Sequence, residues 1–172
     1  MIKVDISKCT GCRCCETACS FYHTGKVNNN LSRIRVLNLY EIGIDGPIVC
    51  QQCKERFCMK CPEDGLTIGE FGQVIVAPTI CNSCGVCVKA CPIGAMELFE
   101  DILYVCDLCG GHPKCVEACT EGAIIFEPEM KETVSLAEFK SETKKMNPSE
   151  KRHFYLRKQG VELRKKWRKE HA

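Results

Sequence analysis

The residues of this sequence best suited to chemistry are its cysteines, which number 17 among 172 residues. Sixteen of them form four groups of four, here called quartets, with two to five residues between neighbouring cysteines. The quartets are Cys9, Cys12, Cys15 and Cys19; Cys50, Cys53, Cys58 and Cys61; Cys81, Cys84, Cys87 and Cys91; and Cys106, Cys109, Cys115 and Cys119. Cys14 stands outside them, and we expect it to be a small buried apolar residue. Thiolates are soft ligands, so each quartet predicts a metal site.

The third quartet indicates which metal group is bound. Its run, C-x2-C-x2-C-x3-C followed by Pro92, resembles at every position the run that binds [4Fe-4S] clusters in bacterial ferredoxins. Three thiolates spaced two residues apart can hold one cluster on a tight loop. The fourth opens the next turn, faces away and binds the other cluster of a pair. We therefore expect pairs of quartets to exchange their fourth cysteines.

Zinc, haem and disulfides fit the pattern less well. Zinc ribbons use two C-x2-C pairs separated by a longer gap, whereas here third and fourth thiols crowd into each quartet. No C-x2-C pair precedes a histidine, as c-type haem attachment requires. The odd number of cysteines and the lack of a secretion signal in residues 1–8 disfavour disulfides, and they predict a reducing, cytoplasmic location.

The order of the quartets resembles that of the four-cluster ferredoxin-like subunits of molybdenum and tungsten oxidoreductases, over about residues 1–127. Spacing alone leaves open whether neighbouring quartets pair or whether the first and fourth enclose the second and third. In that family the arrangement is nested, which implies four ligand sets. Set 1 is Cys9, Cys12, Cys15 and Cys119; set 2 is Cys19, Cys106, Cys109 and Cys115; set 3 is Cys50, Cys53, Cys58 and Cys91; set 4 is Cys61, Cys81, Cys84 and Cys87.

The compact fourth quartet narrows the resemblance. With the short chain, it is similar to the small polyferredoxin subunits that accompany tungsten enzymes of the aldehyde ferredoxin oxidoreductase type. That group includes aldehyde oxidoreductases and aryl-CoA-reducing complexes. One departure concerns the two residues between Cys58 and Cys61, where the family usually has three. Four [4Fe-4S] clusters are therefore expected, with three as the alternative.

The elements that must position the cysteines are short. Apolar alternation predicts strands over residues 2–6, 33–40, 74–76, 96–99, 102–105 and 123–126, with a hairpin turn at Glu100-Asp101. Single helical turns are expected at 86–90 and 116–118. The predicted fold class is α+β, with two nested bacterial-ferredoxin-like 2[4Fe-4S] modules: an outer one from residues 1–48 and 100–128 and an inner one from 49–99.

The sequence also predicts roles for several residues beside the quartets. Gly94 and Gly122 follow the last cysteine of two repeated segments, and we expect them to allow close backbone approach. Tyr22 and His23 follow the first quartet and are predicted to cover a cluster.

The composition changes after Phe126, and residues 129–172 are predicted to form a helical, basic extension for partner docking. Ser135 to Glu138 reads as a capping box opening one helix, and Pro148 separates it from a second helix with Ser149 as its N-cap. Residues 149–172 hold nine Lys/Arg and three Asp/Glu, a charge of +6, against −4 for the other 148 residues. Leu156, Leu163 and Trp167 share one helical face, which suits docking onto a partner or onto the body.

No motif for substrate chemistry accompanies the cysteines: G-x-G-x-x-G, P-loop, nucleophile-elbow and H-E-x-x-H patterns are all missing. We therefore predict a non-catalytic electron-transfer subunit. It would connect a large tungsten or molybdenum pterin catalytic subunit to a flavin and NAD-binding subunit, a ferredoxin or another copy of itself. The alternative is a free-standing polyferredoxin carrier. A net charge of +2 disfavours a nucleic-acid partner, and the apolar runs are too short for a membrane span.

Overall fold

Four antiparallel strand pairs form the framework of the cysteine-rich part. The computed structural model describes residues 1–129 and 134–170. The strands are β1 (Ile2–Val4), β2 (Arg35–Leu39), β3 (Ile44–Ile48), β4 (Leu66–Ile68), β5 (Val74–Val76), β6 (Glu97–Phe99), β7 (Ile102–Tyr104) and β8 (Ile124–Phe126). In the described ranges they pair as β1–β8, β2–β3, β4–β5 and β6–β7. Together with the helices below, this confirms the α+β class.

The β1–β8 pair closes the cysteine-rich region by joining its two ends. Its register runs from Ile2 opposite Phe126 to Val4 opposite Ile124. The ladder continues where the Asp5 amide donates to the Ala123 carbonyl at 2.8 Å. The start of the first quartet and the end of the fourth therefore lie side by side, with the second and third quartets in the intervening chain.

The remaining pairs are local hairpins. The predicted β6–β7 hairpin is confirmed, with Phe99 opposite Ile102. Glu100 and Asp101 in its turn have φ values of 49° and 57°. Positive φ at both central residues is the feature of the type I′ turn, whose twist matches that of the strands it joins.

Helices α1 (Cys14–Thr24), α2 (Val86–Ala90) and α3 (Lys114–Glu117) carry cysteines of three quartets. The α2 prediction is confirmed, but the expectation of single turns only is wrong for α1, which has 11 residues. Its first turn is anchored by buried Glu16, whose carboxylate accepts from the Val36 amide at 2.9 Å. Gly25 ends it with φ 68°, donating its amide to the Phe21 carbonyl.

Helices α4 (Ala137–Glu142) and α5 (Pro148–Glu170) follow, and both begin differently from the prediction. At α4, the Glu55 carboxylate accepts from the Leu136 amide at 3.0 Å, so a distant acid takes the role expected of Glu138. At α5, Asn147 rather than Ser149 is the cap. Its side-chain oxygen accepts from the Glu150 amide at 3.0 Å, and the Glu150 carboxylate accepts from the Asn147 amide at 2.7 Å.

Helix α5 lies against the body along its apolar face. Leu156 is fully buried with Leu39, Ile44 and Ile48 of the β2–β3 hairpin, and Leu163 and Trp167 are partly buried on the same cluster. The stripe predicted to dock onto a partner or the body thus contacts the body. Among the helices of the described residues, none combines the length and the apolar character that a bilayer crossing requires.

Candidate iron–sulfur centres

The thiols of set 1 surround one cavity. Cys9, Cys12, Cys15 and Cys119 line a space of about 340 Å³ beside the β1–β8 pair. Burial, followed by the neighbouring Cys115 thiol and the Glu16 carboxylate, raises the pKa of Cys15. Cys119 comes from the fourth quartet, so the strand pairing at the two ends of the region delivers it to the loop of the first.

The thiols of set 2 meet between α1 and α3. Burial and then the thiols of Cys19 and Cys109 raise the pKa of Cys115 to about 12. Burial and then Cys115 also raise the pKa of Cys106. The Arg33 amide donates to the Cys19 sulfur at 3.3 Å. Three thiols of the fourth quartet therefore lie beside the last thiol of the first.

A polar group covers set 2 on its outer side. His23 Nε2 lies 3.6 Å from the Cys109 sulfur and 3.5 Å from an oxygen of Asp107, which is ion-paired to Arg33. Burial, and then the Arg33 charge, lowers the pKa of His23. The position of His23 over a thiol agrees with its predicted role as cover, while Tyr22 is half exposed.

Set 3 lines a second cavity, of about 390 Å³, formed by Cys50, Cys53, Cys58 and Cys91. Burial raises the pKa of Cys50 to about 12. Cys91 lies just after α2, and its sulfur accepts from the Ala95 amide at 3.3 Å. The second quartet therefore supplies three thiols and the third quartet one.

Set 4 lies on the other side of α2. Burial, and then the thiols of Cys81 and Cys61, raise the pKa of Cys87 to about 11. Cys84 is exposed on the loop that leads into α2. Cys58 lies within a 3₁₀ turn at Phe57–Met59, and Cys61 follows that turn. Cys58 lines the cavity of set 3 while Cys61 acts on the pKa of Cys87, so the two thiols are near different sets despite the shortened spacing.

Contacts between sets place them in the order 1, 2, 3, 4. Cys15 of set 1 neighbours Cys115 of set 2, and Cys106 of set 2 neighbours Cys50 of set 3. Sets 3 and 4 share α2, where the Cys91 amide donates to the Cys87 carbonyl at 3.0 Å. Each terminal set has one exposed cysteine, Cys12 in set 1 and Cys84 in set 4.

Cys14 lies beside Cys12 at the edge of the cavity of set 1. The prediction that it is buried is wrong, because it is exposed. It is the first residue of α1, where Cys15 and Cys19 are the buried cysteines. The cysteine spacing does not reveal this difference in burial.

The cavity of set 3 offers a direct test of whether the residues suit a cluster. Gln52 lies in this cavity and is only 2% exposed. Both polar atoms of its side chain lack a hydrogen-bond partner among the described residues. A buried amide without a partner is costly, and cluster sulfur atoms accept N–H donors. Four converging thiols with an unsatisfied donor therefore fit a [4Fe-4S] group.

The chain is similar in sequence to known iron–sulfur proteins. Residues 74–97, which include the third quartet, match the 4Fe-4S binding domain family. The polyferredoxin-like subunit of the aliphatic sulfonate oxidoreductase of Pyrococcus furiosus is 43% identical over 124 residues, which are 70% of this chain and 71% of that subunit. The chain belongs to the polyferredoxin-like electron-transfer proteins. This polyferredoxin binds several [4Fe-4S] clusters.

Two further similarities were found. The electron transport protein HydN of Escherichia coli is 32% identical over 151 residues, covering 72% of this polyferredoxin and 85% of HydN. A chain of the solved active site complex BamBC of benzoyl coenzyme A reductase is 29% identical, with a TM-score of 0.44, and the match covers 73% of this chain and 74% of that one. The sequence relatives, and not this similarity in structure, show the family of the chain.

Proposed function

We propose that this polyferredoxin is a non-catalytic relay subunit with four [4Fe-4S] clusters, one at each of sets 1 to 4. The observation that carries the proposal is the row of four thiol sets with an exposed cysteine at each end. A row of this kind suits entry of electrons at one end and exit at the other. The nested exchange of fourth cysteines is part of the proposal, with Cys119 and Cys91 as the thiols that cross between quartets.

The residues of each set determine what the centre can do. Each cluster, when bound, supplies one-electron chemistry. Four thiolates per set saturate the iron atoms, so the chain leaves no open coordination position for a substrate. Cys106 is buried and Cys50 is partly buried, so the middle of the row is less accessible to water than its two ends. The chain's own contribution is thus to hold, space and insulate the centres, which supports a non-catalytic role.

The proposed partner is a large tungsten or molybdenum pterin subunit, as the resemblance of the quartets implies. A second redox protein, such as a flavin and NAD-binding subunit, a ferredoxin or another copy, would occupy the other end. The P. furiosus relative is itself named as a subunit of an oxidoreductase, which supports assembly with a catalytic chain. We place the complex in the cytoplasm, where the exposed Cys14 thiol would stay reduced.

A groove between the β2–β3 turn and the end of α5 is the proposed docking site. Tyr40 is 87% exposed at its rim. Arg164 lies over the Trp167 ring at 5.6 Å from the centroid, and Lys165 and Arg168 line the same groove. Aromatic and arginine side chains are typical anchors of protein interfaces. The partner that fits this groove is a catalytic subunit whose docking face has an aromatic pocket for these side chains and an acidic rim for their positive charges.

The docking site can be tested by charge reversal. The double variant Lys165→Glu, Arg168→Glu should lose co-purification with the catalytic subunit while its iron content stays unchanged, because neither residue contacts a cysteine. The matched control is Lys144→Glu, Lys145→Glu, which reverses two exposed lysines before α5. Equal binding by both double variants would contradict the docking site.

The relay itself can be tested with the separated subunits. The anaerobically isolated chain should take up about four electrons from dithionite, one for each cluster, and should turn over no substrate alone. Adding it back to the isolated catalytic subunit should restore electron delivery to an external acceptor. Substrate turnover by the isolated chain would contradict the proposal, as would full electron delivery by the catalytic subunit without it.

A further inference from the structure

The backbone of the Cys50–Cys53 loop holds Gln52 in an unusual conformation. Its φ is 46°, in the left-handed region that side-chain-bearing residues seldom occupy. In this conformation the Gln52 amide donates to the Cys50 sulfur, while the carboxamide lies in the same cavity. Main chain and side chain of one residue therefore both offer N–H groups to set 3.

The side chain of Gln52 makes no hydrogen bond to any other residue in the described structure. The backbone amide is satisfied by sulfur, but the carboxamide nitrogen and oxygen have no partner there. Leaving a buried polar group unsatisfied costs about 1–3 kcal/mol. By contrast, the buried Gln73 uses its carboxamide oxygen to accept from the Phe71 amide at 2.9 Å. The unpaired amide of Gln52 thus indicates an acceptor inside the cavity.

Two cations adjoin the same set. Arg56 lines the cavity, and its charge acts to lower the pKa of Cys50 against the larger effect of burial. Lys151 of α5 is 2% exposed, and its ammonium donates to the carbonyls of Lys89 at 2.8 Å and Cys91 at 3.0 Å. Acidic groups adjoin both sets: Glu55 acts on the pKa of Cys53 of set 3, while set 1 has Asp45 and Glu16, the latter ion-paired to Arg13 at 3.0 Å.

We propose that the Gln52 side chain donates an N–H···S hydrogen bond to the cluster of set 3 and, with Arg56 and Lys151, raises its midpoint potential. This inference rests on the proposed assignment of set 3. One-electron reduction by the redox partner adds one negative charge to a buried cavity, with no bond broken and no proton moved. Burial disfavours that charge, whereas an N–H dipole and two nearby cations stabilise it. They keep a buried centre in the middle of the row reducible.

An EPR-monitored redox titration of the full chain tests the inference. Gln52→Leu should lower the midpoint potential of one of the four reduction steps, because it removes the N–H donor and keeps a side chain of similar size. The control Gln73→Leu also removes a buried carboxamide and should leave all potentials unchanged. Lys151→Met should lower the same step as Gln52→Leu, whereas Lys158→Met, two turns further along the same helix and ion-paired to Glu142, should lower none.

Unshifted potentials in Gln52→Leu with full iron content would overturn the inference. A measurement on the wild-type chain covers the case in which the variants fail to bind iron. Labelling the side-chain nitrogen of glutamine with ¹⁵N should give a hyperfine coupling to one reduced cluster in pulsed EPR, and its absence would also overturn the inference. Cys53→Ser separates this from the proposed function: full iron in that variant would refute set 3 itself.

Discussion

At the scale of single residues, Cys119 decides how the quartets are paired. Cys119→Ser should damage the cluster that also depends on Cys9, Cys12 and Cys15, because Cys119 lines their cavity. The centre at Cys106, Cys109 and Cys115 should keep its EPR signal. Cys14 lines the same cavity but lies outside the proposed set, so it is the matched control, and Cys14→Ser should retain all iron. Loss of the Cys106 centre with retention of the Cys9 centre would mean that each quartet holds its own cluster.

Two glycines with similar backbones should respond differently to alanine. Gly94 has φ 65° and Gly122 has φ 62°, so Ala at either position pays about 1–2 kcal/mol for the left-handed conformation. At Gly94 the added methyl would also clash with the Pro148 carbonyl oxygen, while Gly122 has open space. Anaerobic thermal unfolding should show a larger decrease in melting temperature for Gly94→Ala. Equal decreases in melting temperature would mean that α5 can move away from the added methyl group without loss of stability.

The cysteine spacing predicted four groups of thiols. The family resemblance, and not the spacing, implied which thiols converge, and neither of them predicted the polar residues beside the thiols. The close approach predicted at Gly94 is present, whereas at Gly122 only the positive φ requires glycine. Asn147-Pro148-Ser149-Glu150 contains its own signal for a helix start, with Asn as cap and Pro in the first turn, and could have been read correctly. Gln52 could not, because glutamine beside a cysteine is usually solvent-exposed and its burial depends on α5 and the third quartet.

At the scale of elements, α5 contacts the end of the third quartet as well as the β2–β3 hairpin. Removing residues 146–172 should lower the iron content, because Lys151 holds the Cys91 carbonyl and Leu156 fills the β2–β3 hairpin. Removing only residues 164–172 should preserve iron and weaken partner binding, because it takes away the basic side of the groove. Iron and co-purification are measured for both. Unchanged iron after the longer deletion would mean that α5 only rests on the surface.

The short elements differ in how far the sequence predicts them. Apolar residues were enough to predict β5, β6 and β7. Strand β3 was missed because Asp45-Gly46-Pro47 reads as a turn, although Pro47 lies opposite Val36 in the ladder. Helix α1 was missed because cysteines interrupt its apolar pattern, and its stability comes from tertiary contacts such as Glu16 with Val36.

At the scale of the whole molecule, the β1–β8 strand pair and the four thiol sets hold the cysteine-rich region together in place of one large continuous apolar core. The described part of the chain has three apolar clusters, and each of them includes cysteines. Metal ligation in such a chain is coupled to folding, because most of the buried thiols stabilise the fold only by binding metal. The nested arrangement that we propose could not be derived from spacing, because it depends on the long-range pairing of β1 with β8.

The iron and acid-labile sulfide content of the anaerobically purified full chain tests the central claim most directly. Four saturated thiol sets predict about sixteen iron and sixteen sulfide per chain. This count depends on the shortened Cys58–Cys61 turn serving two sets at once. About twelve of each would contradict the four-set account and implicate that turn, and zinc in place of iron would contradict it altogether.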